Sequence, residues 1–554
     1  MQTKIYNLLR DFVAVESISC TRTEREASMF VHDYFARFPY FEDHPEYFGI
    51  YDIPDDPYDR TIPYAFLKGN SANTAVIMGH FDVVDIEDYG EAKPLAFDLD
   101  HLAAKLAEMD LPLDARTDME SGEWLWARGV EDMKAGLVVN MVLLEEYAKM
   151  AEEGTLPGCI FFMAVPDEES YSAGMRAGIT LLSDFKDRYG LKLNVLMDPE
   201  PSIMTGDGRQ VVDIGTVGKT MPVVVVQGVQ AHVANKFNGF SPLSVISRIQ
   251  RKTEESLAFT DSYRGEATMP PTWANLRDLK KYYDVTIPHR AAGYMTVLSF
   301  QSTPDQIMEK MKAIAEKSFR EAAAAWNDLL QEYKELVNIK PKEAFVLEPL
   351  VFSFGELCAK LKRERGEAFE RFFAEEQAKI EAKILSGDVN YPDSTVEFME
   401  DVLNFADIKQ PLVLLAFAPP YYPAFNSDLI PGKEGAGEKI FRLYTDVLAS
   451  FGRGSVKEYY SMGISDMSYA GMDHPFDTAA YSANTPVWGK MYAIDFAGMA
   501  NLNMPCTFTG PIGKDDHMWT ERILKKSLYE ECPAVNRALI DRFMQGSQEG
   551  HDHK

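Results

Sequence analysis

The residues of this chain best suited to chemistry lie just after short apolar runs. His80 and Asp82 follow the run Ala75-Val76-Ile77-Met78 in the order Gly79-His80-Phe81-Asp82. A strand ending in His-x-Asp puts two polar side chains on one side of its tip. There the imidazole can ligate a metal, and the aspartate can orient it through the other ring nitrogen. On its own the tripeptide reads as a capped turn with a satisfied histidine. Asp132 lies in Arg128-Gly129-Val130-Glu131-Asp132-Met133-Lys134-Ala135-Gly136, where glycines flank two acidic residues before a long helix; alone it reads as an N-cap. Pro166-Asp167-Glu168-Glu169 shifts the weighting. Consecutive carboxylates at a strand end repel one another, and a cation relieves that repulsion. A further apolar run ends Met197-Asp198-Pro199-Glu200-Pro201. His80, Asp132, Glu168, Glu169 and Asp198 thus fall at or just after the predicted ends of sheet elements. Converging carboxylates with few histidines and no cysteine suit a pair of borderline-to-hard cations such as zinc, cobalt or manganese.

The elements that must position these residues follow from periodicity. Residues 4–17, 24–38 and 133–151 carry helical patterns, and the runs 75–78, 159–165 and 193–197 read as buried strands. Helices alternating with largely apolar strands predict an α/β layered fold with helices on both faces of the sheet. In such sheets ligands bind at the carboxyl ends of the strands. The pattern then changes. Val223–Val226 is a strand, Ser241 and Pro242 open a helix to about residue 255, residues 294–300 form a strand, and Pro304 opens a helix to about Val337. Residues 343–409 are charged and helical, and Leu412–Ala418 is a strand. Residues 216–424 therefore read as an inserted α+β domain with an extra helical insertion near 338–409. Residues 1–215 and 425–554 form the discontinuous domain that carries the metal-type residues. The polar tail 546–554 reads as disordered, with His551 and His553 a weak metal motif at best.

Composition excludes several classes of partner. The chain has 554 residues, 85 acidic and 56 basic, for a net charge of −29. That balance repels a phosphate backbone, so neither nucleic acid nor an anionic membrane is expected. The dense basic cluster is short, Lys360 to Arg365, and reads as a solvated helix face. Five scattered cysteines with no CxxC pair read as reduced thiols in a cytoplasmic protein. The N-terminus has no signal-peptide apolar core, and no run approaches the roughly 20 apolar residues of a membrane span.

Four motifs in order, GHFDVVD, ARGVEDMKAG, DEE after a strand and GPIGKDDHMWTE, resemble the dinuclear zinc metallopeptidases and amidohydrolases that include aminoacylase, carboxypeptidase G2 and succinyl-diaminopimelate desuccinylase. The length, the large insert and the LMDPEPSIMTGD segment resemble the arginine-utilisation (RocB-like) branch. The resemblance implies a mixed-sheet, phosphorylase/hydrolase-like catalytic domain with an inserted α+β lid that often dimerises. Here a monomer or weak homodimer is expected. It also implies two divalent metal ions: Asp132 bridges them, His80 and Asp198 complete one site, and Glu169 and His517 the other. Asp82 steadies His80, and Glu168 is the general base. His232, in the lid segment Gly228-Val229-Gln230-Ala231-His232, stabilises the tetrahedral oxyanion. The peptide after Asp132 is expected to be cis. Glu521, on a predicted helix with His517, is expected to support that ligand. The fourth carboxylate stays ambiguous between Asp198 and Glu200, and the strand ending at Asp198 favours the former. Gln301 stands where many members carry a substrate-binding arginine, and glutamine cannot form a charged bidentate pair with a carboxylate. The implied activity is hydrolysis of an amide bond in a small peptide or N-acyl amino acid. The alternative is a non-catalytic, metal-stabilised binding protein for a small amino-acid derivative.

Overall fold

The apolar runs that precede the candidate residues become neighbouring strands. In the computed structural model, which describes residues 1–337 and 347–545, Asn73–His80, Cys159–Val165 and Lys192–Asp198 lie side by side and parallel. Cys159–Val165 is buried at every position, as expected for a strand covered on both faces. Phe48–Asp52 and Thr61–Leu67 extend the sheet antiparallel on one side, and Cys506–Phe508 extends it parallel on the other. The register pairs His80 with Val165 and Ile77 with Met197, so the carboxyl ends of the three central strands stand together. These strands belong to a first unit formed by Met1–Thr216, Phe425–Asp473 and Ile494–Lys554.

The helix Ala135–Glu152 follows Asp132 directly and is buried along most of its length. Its nearly all-round apolar character marks a helix held within a core. Its first turn presses on the end of Lys192–Asp198. A Cβ on Gly136 would stand 2.1 Å from the Pro199 carbonyl oxygen, and one on Gly510 would stand 2.4 Å from that of Glu200. The backbones carrying Asp132 and Glu200 therefore approach without room for a methyl group between them.

The second unit comprises Val217–Ala424 and His474–Ala493. Its five strands run in the order Thr272–Asp278, Arg290–Ser299, Gly218–Gln227, Leu412–Tyr422 and Val351–Ser353, antiparallel except for the last pair. The charged stretch read as helical forms the helices Phe354–Arg365, Glu367–Leu385 and Tyr391–Ala406. They bury Phe369, Ile380, Phe398 and Met399 against Val223, Val225 and Leu414 of the sheet. Residues 338–346 of the expected insertion, and the tail 546–554 with His551 and His553, lie outside the described residues.

One boundary needs correction. Residues 474–493, read from the sequence as part of the metal-bearing domain, group with the second unit. Backbone pairing explains it. Asn484 accepts from Phe417 N at 2.8 Å and, through Oδ1, from Gly355 N at 2.9 Å, and Tyr421 N donates to Tyr492 Oη at 2.9 Å. The Tyr481 ring stacks on Phe417. Among the described residues no helix is long and apolar enough to cross a membrane.

Gly136→Ala is expected to destabilise the first unit by about 1–3 kcal/mol through overpacking, read as a lowered thermal midpoint. Gly206→Ala, where an added methyl meets nothing within 4 Å, should leave the midpoint within error.

Candidate metal centre

His80 ends its strand with its ring held from behind. Nδ1 lies 3.0 Å from the Asp82 carbonyl oxygen, which makes Nδ1 the donor and turns Nε2 toward the cleft. Nε2 stands 2.8 Å from Asp132 Oδ1 and 3.4 Å from Glu200 Oε1. The other Asp132 oxygen lies 3.2 Å from His517 Nε2, which in turn is 2.9 Å from Glu169 Oε2. Asp132 therefore stands between two imidazoles with one oxygen toward each. Ligand atoms of His80, Asp132 and Glu169 fall within 4.8 Å of one another, and so do those of His80, Glu168 and Glu200. The Asp132–Met133 peptide is cis.

The electrostatics of this cluster call for positive charge. Burial pushes Glu169 up to about 8, with Asp132 adding repulsion. Burial likewise raises Glu168 well above the usual carboxylate range, helped by Glu200 and Asp466. Burial opposes ionisation of Asp132 too, but His80 and His517 outweigh it and hold that carboxyl below its usual range. Hydrogen bonds to Asp132 and Glu169 lift His517 to about 11. Two imidazoles with Asp132 between them, and the carboxylates grouped around His80, fit a pair of divalent cations by donor type. His80, Asp132 and Glu200 would hold one cation, and His517, Asp132 and Glu169 the other.

The supporting contacts differ from the sequence reading in three places. First, Asp82 holds the His80 ring through its carbonyl as well as its carboxylate, whose Oδ1 lies 3.5 Å from Nδ1, and that carboxylate also accepts from Glu168 N at 3.1 Å, Glu169 N at 3.2 Å and Ser19 Oγ at 2.6 Å. Second, Glu521 lies in no helix and supports Asp132 instead of His517. It accepts from Glu131 N at 2.9 Å, Gly129 N at 3.0 Å and Arg128 Nη1 at 2.8 Å. Third, Glu200 approaches His80, whereas Asp198 enters neither ligand group. Pro199 ends the strand, and its close packing on Gly136 and Gly510 sets the turn that delivers Glu200. Asp198 stays fully buried at the strand end, with no hydrogen-bond partner for either oxygen among the described residues.

Sequence reasoning missed the cation behind the Asp-Glu-Glu turn. Arg60 is buried and pairs with Asp167, with Asp56 at 2.7 Å and with Glu24 at 3.5 Å. Asp167 also accepts from Ala173 N at 3.0 Å, and it adopts φ +71°. Arg60 thus anchors the residue that precedes Glu168 and Glu169. Burial and the nearby Asp82 push Glu24 well up, against the pull of Arg60. No spacing rule links Arg60 to a motif so far along the chain. Lys134, fully buried, donates to the Val15 carbonyl at 2.7 Å and ties the first helix to the Asp132 turn.

His232 belongs to the second unit. It is exposed and its Nδ1 accepts from Ala234 N at 3.1 Å, capping a short turn. Gln301 N donates to Asp261 Oδ2 at 2.9 Å in the same unit.

Comparison with known proteins finds relatives along nearly the whole chain. The model of peptidase family M20/M25/M40 matches residues 76–541. The uncharacterised protein YqjN of Bacillus subtilis is 28% identical over 559 residues, covering 99% of this chain and 98% of its own length. Protein RocB of the same organism is 28% identical over 554 residues, covering 98% of this chain and 95% of its own. The crystal structure of a tripeptidase from Staphylococcus aureus superposes with a TM-score of 0.52 at 10% identity, over 98% of this chain and 99% of that one.

Two outcomes follow from the centre's electrostatics and its anchor. With Glu169 near 8 and His517 near 11, the pair holds at least one proton at neutral pH that a divalent cation must displace. Metal binding to the metal-free protein should release at least one proton, and affinity should rise with pH through 8 and on toward 11. Calorimetry in buffers of different ionisation enthalpy reads both, and binding without proton release would contradict the assignment. Arg60→Gln leaves buried carboxylates unpaired and is expected to cost about 3–5 kcal/mol of stability, measured by denaturation, with a fall in kcat.

Proposed function

Because the chain belongs to peptidase family M20/M25/M40, we propose that it hydrolyses an amide bond in a small peptide or an N-acyl amino acid. His80, Asp132, Glu169, Glu200 and His517 would hold two divalent cations, with zinc as the native metal. When bound, these ions supply Lewis-acid activation of water and of the scissile carbonyl. Glu168 supports the reading most directly. Its carboxylate oxygen lies within 4.8 Å of ligand atoms of both His80 and Glu200, and its amide is held by Asp82. Burial raises its proton affinity, as a general base near neutral pH requires.

Glu168 takes a proton from the attacking water and passes it to the departing amine nitrogen. Asp82 positions this step through the Glu168 amide and fixes the ring orientation of His80. His232 is the residue that the family resemblance offers to the developing oxyanion. The resemblance to the arginine-utilisation branch puts arginine derivatives first among substrates, with a role in amino-acid catabolism. Five cysteines, none in a disulfide, accord with a reducing cytoplasm.

The test is metal content together with hydrolysis of N-acyl amino acids, dipeptides and tripeptides, arginine derivatives included, by wild type and Glu168→Gln. The variant should keep two equivalents of metal and lose turnover by about a hundred- to ten-thousand-fold. Loss of metal would make Glu168 a ligand, and retained turnover would remove it as the base.

A further inference from the structure

A cavity of about 490 Å³ opens beside Asn194 and Pro505, at the amino ends of the strands Lys192–Asp198 and Cys506–Phe508. Those strands are parallel, so the cavity lies at the end of the sheet opposite the metal ligands. Lys433, Lys439, Arg442 and Arg542 line it. Four cations on one concave wall repel one another, and they gather here in a chain of net charge −29.

All four residues are exposed, so solvent screens part of that repulsion, and few carboxylates pair with them locally. Among the described residues Lys439 and Arg542 have no acidic partner. Lys433 Nζ donates to the carbonyl oxygens of Asn503 at 2.9 Å and Leu193 at 3.4 Å, with no carboxylate among them. Burial, with Lys186 nearby, lowers the Lys433 pKa. Arg442 bonds Glu438 at 2.8 Å, an acid that also bonds Lys457 at 2.8 Å. Among the described residues of the lining the one carboxylate, Glu434, accepts from Gly432 N at 3.0 Å. At the start of the adjoining helix Ala436–Ser450, the Glu438 amide is already bonded to Asp428 at 3.1 Å. Side chains, and not the helix end, are therefore left to hold an anion. Leu443, Pro505 and Phe543 supply an apolar wall, and the volume falls in the range of small-ligand pockets.

We propose that this cavity binds a small organic diphosphate, its phosphoryl oxygens on Lys433, Lys439 and Arg542 and its organic body on Phe543 and Leu443. A monocarboxylate would leave most of the wall's charge uncompensated, whereas a diphosphate matches it, and guanidinium pairs bidentately with phosphoryl oxygens.

The experiment is titration calorimetry on the full-length, metal-loaded protein with ADP as probe, beside adenosine and inorganic phosphate, at about 0.1 M salt. One ADP per chain should bind saturably, adenosine should not, and added salt should weaken binding. Lys439→Gln/Arg542→Gln should weaken ADP by about a hundredfold with an unchanged thermal midpoint and metal content. Lys439→Gln alone serves if the double variant fails to fold. ADP chelating metal at the catalytic centre would give a signal that survives both variants, and that result would overturn the proposal. So would the lack of saturable ADP binding, or adenosine binding as tightly as ADP.

Discussion

Mutual repulsion among buried carboxylates is the constraint on which the centre depends. Asp132, Glu168, Glu169 and Glu200 converge where three parallel strands end, in surroundings too dry for all of them to ionise alone. Two imidazoles relieve part of that repulsion, and a pair of divalent cations would relieve the rest. Side chains in such a cluster would otherwise swing apart, so they must be held from outside.

The holding is done largely by other acids acting on main-chain amides. Asp82 binds the amides of Glu168 and Glu169, and Glu521 binds those of Gly129 and Glu131. Each outer carboxylate converts its charge into hydrogen bonds that fix a turn, and charge-assisted bonds of this kind are stronger than neutral ones. Arg60 and Arg128 then balance the outer layer, through Asp167 and Glu521 respectively. Packing completes the frame where Gly136 and Gly510 let the backbone beside Glu200 pass close to the helix after Asp132. The centre is thus a layered arrangement of acids, amides and arginines built on the ends of a rigid sheet.

Much of this was legible in the residues. The runs 75–78, 159–165 and 193–197 are apolar enough to be buried strands in any context, and the acids that follow them had to lie at strand ends. His80, Asp132, Glu169 and His517 come together as the motifs implied. What was not legible depends on tertiary approach. A strand ending in Asp198 gives no sign that packing at Pro199 carries the next acid, Glu200, toward His80. Glu521 was read through its sequence neighbour His517, but its carboxylate faces amides nearly four hundred residues away. Arg60 carries no motif, and only the fold shows that it faces Asp167. Residues 474–493 resume helical and aromatic patterning that suits either unit, and only their bonds to Phe417 and Gly355 decide the matter.

The split of the first unit along the chain bears on how the centre is made. His80, Asp132, Glu169 and Glu200 leave the ribosome while the whole second unit is still to be synthesised. His517 and the Glu521 carboxylate that steadies the Asp132 turn arrive only after the second unit has been made. Domains generally form from the amino end as the chain emerges, yet here the early segment carries a bridging aspartate whose second imidazole and supporting carboxylate are missing. A nascent chain can therefore present only part of the ligand set to the metal pool. Loading of a complete pair would wait until the segments of the first unit on both sides of the second have been made.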